Sequence, residues 1–148
     1  MIDRSGKLNK YHNIANASLD GVEFGGLITK KSFELYSVYT MLDSRDGNGE
    51  ELDYRPRWKV DLYLTWRMFE HERLYLSSRS VGQRRTEINT YLDPYHVQDA
   101  GLIFFEKHNI SASIRLRNIF DINNEEEYGY PMAGRTILTG IDWQWGGR

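Results

Sequence analysis

The stretch Arg135-Thr-Ile-Leu-Thr-Gly-Ile-Asp-Trp-Gln-Trp145 decides how this chain is read. Taken with period two, it places Ile137, Thr139, Ile141, Trp143 and Trp145 on one side and Thr136, Leu138, Gly140, Asp142 and Gln144 on the other. That alternation marks a strand with one apolar face. Two aromatics close the face, and a Trp ring, apolar in body and polar at one edge, suits the level where a strand leaves the hydrocarbon of a membrane. A last strand packed on a soluble core fits the same alternation, because periodicity alone does not say whether an apolar side meets protein or lipid.

Residues 56–68 alternate more cleanly. Trp58, Val60, Leu62, Leu64, Trp66 and Met68 share one side, and Arg57, Lys59, Asp61, Tyr63, Thr65 and Arg67 the other. A strand of about ten tilted residues spans a bilayer, so Trp58 and Trp66 fit two aromatic girdles with aliphatic residues between them. Trp143 and Trp145 extend the same reading to the last strand.

The 148 residues carry a net charge of −2, 14% aromatic residues, three Pro and no Cys, with a mean hydropathy of −0.63. One domain fits this length. No apolar run is long enough for a transmembrane helix, but barrel strands average out to polar and stay compatible with these values. Without Cys, no disulfide supports the fold. The near-neutral charge excludes nucleic acid as a main partner, since phosphate binding needs a clustered excess of Lys and Arg.

Strands are predicted at 14–29, 32–43, 56–68, 72–82, 96–107, 110–120 and 135–145, with no helix. Their connections alternate in length. Lys30-Lys31, Phe69-Glu70-His71 and His108-Asn109 read as tight turns, while 44–55, 83–95 and 121–134 read as long polar loops. Short turns on one rim and long loops on the other are the pattern of outer-membrane barrels. The other strands repeat the alternation: Phe33, Leu35, Tyr39 and Met41; Leu74 and Leu76; Ile110, Ala112, Ile114 and Leu116. Residues 97–105 are apolar on both sides and leave their outward side open. The opposing faces hold Glu34, Arg57, Lys59, Asp61, Arg67, Arg79, Arg115 and Arg117. Charges at strand centres call for a wet face rather than a dry core.

Asn118-Ile-Phe-Asp121, then Tyr128-Gly-Tyr-Pro-Met-Ala-Gly-Arg135 and the closing strand, resembles the carboxy-terminal end of TonB-dependent outer-membrane receptors, with their N-L-F-D and Y-P-x-P-G-R elements. Asn13-Ile-Ala-Asn-Ala17, Gly21-Val-Glu23, Tyr39-Thr-Met-Leu-Asp43, Tyr54-Arg-Pro-Arg57 and Val81-Gly82 look like earlier elements of the same barrel in the same order. Ala133 stands where the family often has a second Pro, and Leu138 where its terminal signal usually has a polar residue.

The resemblance implies an all-β, antiparallel up-and-down transmembrane barrel segment of about seven to eight strands, part of a 22-stranded barrel around a plug. It implies that residues 1–148 are the carboxy-terminal portion, with the plug and earlier strands absent. It places the protein in the outer membrane of a Gram-negative bacterium. The implied work is TonB-dependent uptake of a scarce nutrient such as a ferric siderophore or cobalamin. The implied partners are outer-membrane lipid, the barrel-assembly machinery reading Gly140, Trp143 and Trp145, the plug and remaining strands, and TonB through the plug alone. Two alternatives stay open: a small closed outer-membrane barrel with an eighth strand from residues 7–13, and a soluble ligand-binding β-sandwich.

The remaining chemistry is sparse. His12, His71, His96 and His108 lack metal-ligand spacing and read as turn and rim residues. Asp43, Asp46 and Glu50 form at best a weak cation site in an acidic loop, because their order with Gly47 and Gly49 departs from an EF-hand. Glu125-Glu-Glu127 reads as a solvated charge run. No nucleophile elbow or phosphate loop is present, Gly25-Gly26 lying inside a strand, so neither an enzyme nor a cofactor is expected. Tyr128 and Tyr130 are the candidate ligand contacts, as aromatics on an outer loop.

Overall fold

The structure is a computed structural model that describes residues 16–107 and 109–145. Eleven strands follow in order: β1 (Ala17–Lys30), β2 (Phe33–Asp46), β3 (Trp58–Arg67), β4 (Arg73–Val81), β5 (Arg84–Arg85), β6 (Tyr91–Leu92), β7 (Tyr95–Lys107), β8 (Ile110–Arg117), β9 (Glu125–Glu127), β10 (Tyr130–Pro131) and β11 (Thr136–Trp143). Seven make one antiparallel sheet in the order β1-β2-β3-β4-β7-β8-β11; β5 with β6 and β9 with β10 form small hairpins inside two of the long loops. The large sheet is an up-and-down meander that does not close, since β1 and β11 are its two edges. Residues 7–13, the eighth strand of the small closed-barrel alternative, lie outside the described residues, as do His12 and His108.

Cross-strand register makes the period-two patterns coincide. One row runs Ile28, Leu35, Leu64, Leu76, Ala100, Leu116, Ile137 and is apolar at every strand. A slip of one residue at any strand would turn its whole apolar set to the other face. Pairing also settles residues 97–105: Ala100, Leu102 and Phe104 share the apolar face, and Val97, Asp99, Gly101 and Ile103 the polar one.

The apolar belt crosses the sheet diagonally. On β1 it occupies Val22 to Ile28, and the row that ends it there begins it on β11, where it occupies Ile137 to Trp143. The belt therefore slides by about six residues, about 20 Å, while crossing six spacings totalling about 29 Å. That slope is an angle of roughly 35°, the tilt that strands adopt in a closed transmembrane barrel.

No second layer covers this face among the described residues. Val22, Phe24, Ile28, Leu62, Leu76, Ile137 and Ile141 are exposed, while the buried hydrophobic residues are Val81, Leu92 and Tyr95, all at the long-loop end. A soluble sandwich would bury the belt against a second sheet, so that reading is set aside.

Several boundaries differ from the sequence expectation. Lys30 still pairs with Phe33, so the first turn is Lys31-Ser32, with Lys31 left-handed at φ 49°. The strand expected over 110–120 stops at Arg117, because Asn118 and Asp121 adopt φ 49° and 56°. The last strand stops at Trp143, and Trp145 leaves the ladder to meet the Trp143 ring edge-on at 5.1 Å. His96 lies at the rim end of β7, its Nδ1 2.5 Å from Ser80 Oγ.

Asn118 explains why the first element of the family pattern carries this residue type. Its amide donates to Ile122 O at 2.9 Å and Ala133 O at 3.3 Å, and its oxygen accepts from Ile122 N at 2.8 Å. Asp121 Oδ1 accepts from Arg135 N at 2.7 Å, and a Cβ at Gly134 would sit 2.6 Å from that oxygen. The two elements close the last loop on each other. Asn118→Ala removes three bonds from a residue 4% exposed and puts alanine at positive φ. It should destabilise the folded chain by about 2–3 kcal/mol, read as a lower denaturant midpoint in lipid vesicles.

Candidate functional site

The polar face is a wall of paired charges. Asp61, 6% exposed, accepts from Arg79 Nε at 2.7 Å and pairs with Lys59 Nζ at 3.0 Å. Arg79 stands directly across the ladder from Asp61, and Lys59 two residues away on the same strand, so alternation itself brings the three together. Asp99 Oδ1 accepts from Asn118 N at 2.8 Å, and Oδ2 lies 4.0 Å from Arg117. Tyr36 and Tyr63, also cross-strand partners, stack at 6.2 Å. Two concavities open on this wall. One of about 370 Å³ runs under the last loop, between Asp61, Arg79, Asp99, Arg117, Glu126 and Met132. The other, about 700 Å³, lies toward the short turns beside Tyr75, Arg115 and Asp142.

The long loops meet at one rim and carry most of the buried polar groups: Ser44, Arg84, Thr86 and Asn118. Glu126 and Glu127 are exposed, as a solvated charge run requires, and the run is also tied into the rim. Glu125 O accepts from Arg84 Nη2 at 2.6 Å, Glu125 Oε2 from Gly129 N at 3.0 Å, and Glu126 from the Tyr95 hydroxyl. Sequence reasoning missed Arg84 and Arg85. Their neighbours in sequence are polar, and the acceptors that tie them to the other two loops, Glu125 O and Glu51 O, lie 41 and 34 residues away, so no local signal pointed to them.

The acidic loop keeps its three carboxylates apart. Asp43 pairs with Arg45 at 3.1 Å and Glu50 with Arg85 at 2.7 Å. Asp46 Oδ1 accepts from the backbone N–H groups of Glu50 and Asn48, both at 2.9 Å, and these bonds hold its carboxyl below the ordinary carboxylate value. Among the described residues, no three His, Asp or Glu side chains gather where they could hold a metal.

Trp58 and Trp66 stand at opposite ends of β3 on the belt side, and Trp143 and Trp145 close the belt side at the far edge. The Trp58 ring lies on Gly82, where a Cβ would come within 2.7 Å of Nε1. Gly140 is on the polar side of β11, opposite Ser113. Tyr128 and Tyr130 flank Gly129, which turns the last hairpin at φ 78°, and both rings are about half exposed.

A family model described as TonB dependent receptor-like, beta-barrel, matches residues 1–119. The vitamin B12 transporter BtuB of Vibrio cholerae is 25% identical over 154 residues, covering 97% of this chain and 25% of the relative. The chain thus spans about a quarter of the length of the curated relatives it matches. Among solved structures, the ferric enterobactin receptor PfeA of Pseudomonas aeruginosa aligns with a TM-score of 0.77 at 18% identity, over 88% of this chain and 23% of that one. The ferric-catecholate import receptor Fiu of E. coli aligns with a TM-score of 0.73 at 20% identity, over 86% and 21%. These structures share the fold.

The charge wall yields a ranking. Asp61→Ala leaves Lys59 and Arg79 facing each other without a carboxylate, whereas Asp99→Ala removes a longer pair and one backbone acceptor. Both partner cations of Asp61 are partly solvated, so its loss should cost about 1–2 kcal/mol and more than that of Asp99. Paired denaturation midpoints in vesicles measure the order.

Proposed function

The chain belongs to the TonB-dependent receptor β-barrel family, an outer-membrane family of Gram-negative receptors rather than of enzymes, and from that premise we propose that residues 1–148 form the carboxy-terminal barrel wall of a nutrient receptor. The receptor takes up a scarce nutrient of the ferric siderophore or cobalamin type, with TonB supplying energy through a plug encoded elsewhere in the protein. One observation carries the reading: a diagonal, uncovered apolar belt backs a wall of paired charges on a meander whose long loops share one rim.

In this reading Trp58, Trp66, Trp143 and Trp145 are the membrane girdle. Gly140, Trp143 and Trp145 form the signal read by the barrel-assembly machinery. Tyr128 and Tyr130 face the arriving ligand, while the Asp43, Asp46 and Glu50 loop shapes the rim through its own internal bonds. The balanced charge of the wall supports a hydrated lumen that guides cargo without trapping it.

Two measurements test the proposal. In cells that depend on the full-length receptor, labelled ferric siderophore or cobalamin should accumulate only while TonB is present; accumulation without TonB would sink the transport reading. For the wall itself, Leu62→Arg puts a cation on the belt and should cost about 2–4 kcal/mol of folding stability in lipid. Thr65→Arg, on the polar face directly across from Glu34, should cost far less, since the new cation meets a carboxylate. Equal losses at the two positions would remove the assignment of faces to lipid and lumen.

A further inference from the structure

Arg84 and Arg85 are consecutive residues of β5, so their side chains leave the strand in opposite directions. Arg84 reaches the last loop: Nη2 donates to Glu125 O at 2.6 Å, Nη1 to Gly82 O at 3.3 Å, and the guanidinium sits 5.0 Å from the centre of the Tyr95 ring. Tyr95 in turn donates its hydroxyl to Glu126. Arg85 reaches the first long loop. Its Nη1 donates to Glu51 O at 2.8 Å, Nη2 to the Glu50 carboxylate at 2.7 Å, and its own carbonyl accepts from Tyr54 N at 2.8 Å. One dipeptide in the middle loop thus grips both neighbours.

The two grips differ in kind. Arg85 is an ion pair at a wet surface. Arg84 is 2% exposed and, among the described residues, is held by carbonyl oxygens and a ring face rather than by a carboxylate. A cation buried against carbonyls alone raises the free energy of the closed arrangement. Its geometric partner, the Glu125–Glu127 strand, leads directly to Tyr128 and Tyr130, and Glu126 and Met132 on either side of these two line the 370 Å³ cavity.

We propose that Arg84 and Arg85 clasp the three long loops into one cap that loosens and closes as a unit, and that Arg84 is the positioning residue that holds Tyr128 and Tyr130 over the lumen. Burial of the cation makes the clasp releasable: opening the last loop wets the guanidinium, which offsets part of the lost contact with Glu125 and Tyr95. Arg85 transmits the same release to residues 47–57 through Glu50, Glu51 and Tyr54. The role of Tyr128 and Tyr130 as ligand contacts rests on the receptor function proposed above, whereas the clasp does not.

Hydrogen exchange by mass spectrometry on the full-length receptor in detergent decides the clasp without any ligand. Arg84→Ala should speed backbone exchange about 10-fold in residues 121–134 and also in 47–57, and leave Trp58–Arg67 unchanged. Arg85→Ala should speed the same two loops. If each substitution loosens only the loop it touches, the single-cap proposal is overturned. Tyr95→Phe, which keeps the ring under Arg84 and loses only the Glu126 bond, should loosen 121–134 more weakly in a receptor that still folds. Heat-modifiable gel migration confirms that the barrel is intact, and Arg84→Lys should restore slow exchange only partly, since an ammonium lacks the planar fork.

With ferric siderophore or cobalamin as the probe, Arg84→Ala should raise Kd about 10-fold and leave the uptake rate of bound probe unchanged. An unchanged Kd in a receptor whose loops have loosened would remove the positioning role. A receptor that binds neither probe, yet shows the two-loop exchange response, would sink the proposed cargo and keep the clasp.

Discussion

A strand that crosses hydrocarbon has nowhere to place its N–H and C=O groups except on the next strand, and everything else in this molecule depends on that constraint. It forces an antiparallel ladder from β1 to β11, irregular only between Phe104 and Lys107 within the large sheet's described pairings, and so fixes register over long spans, from Ala17 against Asp46 to Trp143 against Ile110. Fixed register then sorts every residue to one of two faces. The lipid side selects Leu, Ile, Val and Trp, and the other side is free to collect Asp61, Arg79, Asp99 and Arg117 as cross-strand or near-diagonal pairs. The charge network is thus a consequence of pairing rather than a cause of folding. A pair such as Asp61 and Arg79 exists because the ladder holds its two members opposite each other.

The same constraint inverts the usual distribution of burial. Apolar residues of the belt are left bare for lipid to cover, while the buried positions Val81, Leu92, Tyr95, Arg84, Thr86 and Asn118 gather where the strands run out into long loops. Beyond the hydrocarbon the backbone has water as a partner, so loops are free to bend, and compactness there has to come from specific contacts. Asn118 and Asp121 fasten the last loop to itself, and Arg84 and Arg85 fasten it and the first loop to the middle one. At the opposite rim, Lys31 and Asn109 turn the chain in a few residues at positive φ and need no such fastening.

The sheet was legible in the sequence because one-sided lipid exposure writes itself with period two. Trp58 to Trp66 and Ile137 to Trp143 carried their faces openly, and the turn positions followed to within about one or two residues. The strand at 97–105 was not legible: Val97 and Ile103 are apolar yet lie on the polar side, and only their pairing partners Arg79 and Arg73 give the side away. Strand ends were misplaced where a single residue adopts positive φ, as at Asn118, since a left-handed residue leaves no trace in hydropathy. The rim was the least legible part. The ties of the 125–127 run left no mark in the sequence because the groups that meet Glu125 O and the Glu126 carboxylate, Arg84 and Tyr95, are 41 and 31 residues away.

The slope of the belt carries one further step. A slide of about six residues over six spacings is close to one residue per strand, and a closed barrel whose shear grows at one residue per strand has strands tilted by roughly 36°. The tilt therefore belongs to the whole closed barrel and is already present in seven strands that do not close. β1 and β11 each present a row of backbone groups that only a further strand in the same register can satisfy in lipid. Ile28 and Ile137 end the one row that is apolar across the entire sheet, and any strand pairing beyond either edge would have to carry the belt onward displaced by about one residue, toward the loops beyond β1 and toward the turns beyond β11. Register, tilt and belt are three readings of a single geometry, and none of them can change at one strand without exposing polar backbone or turning a charged face to lipid.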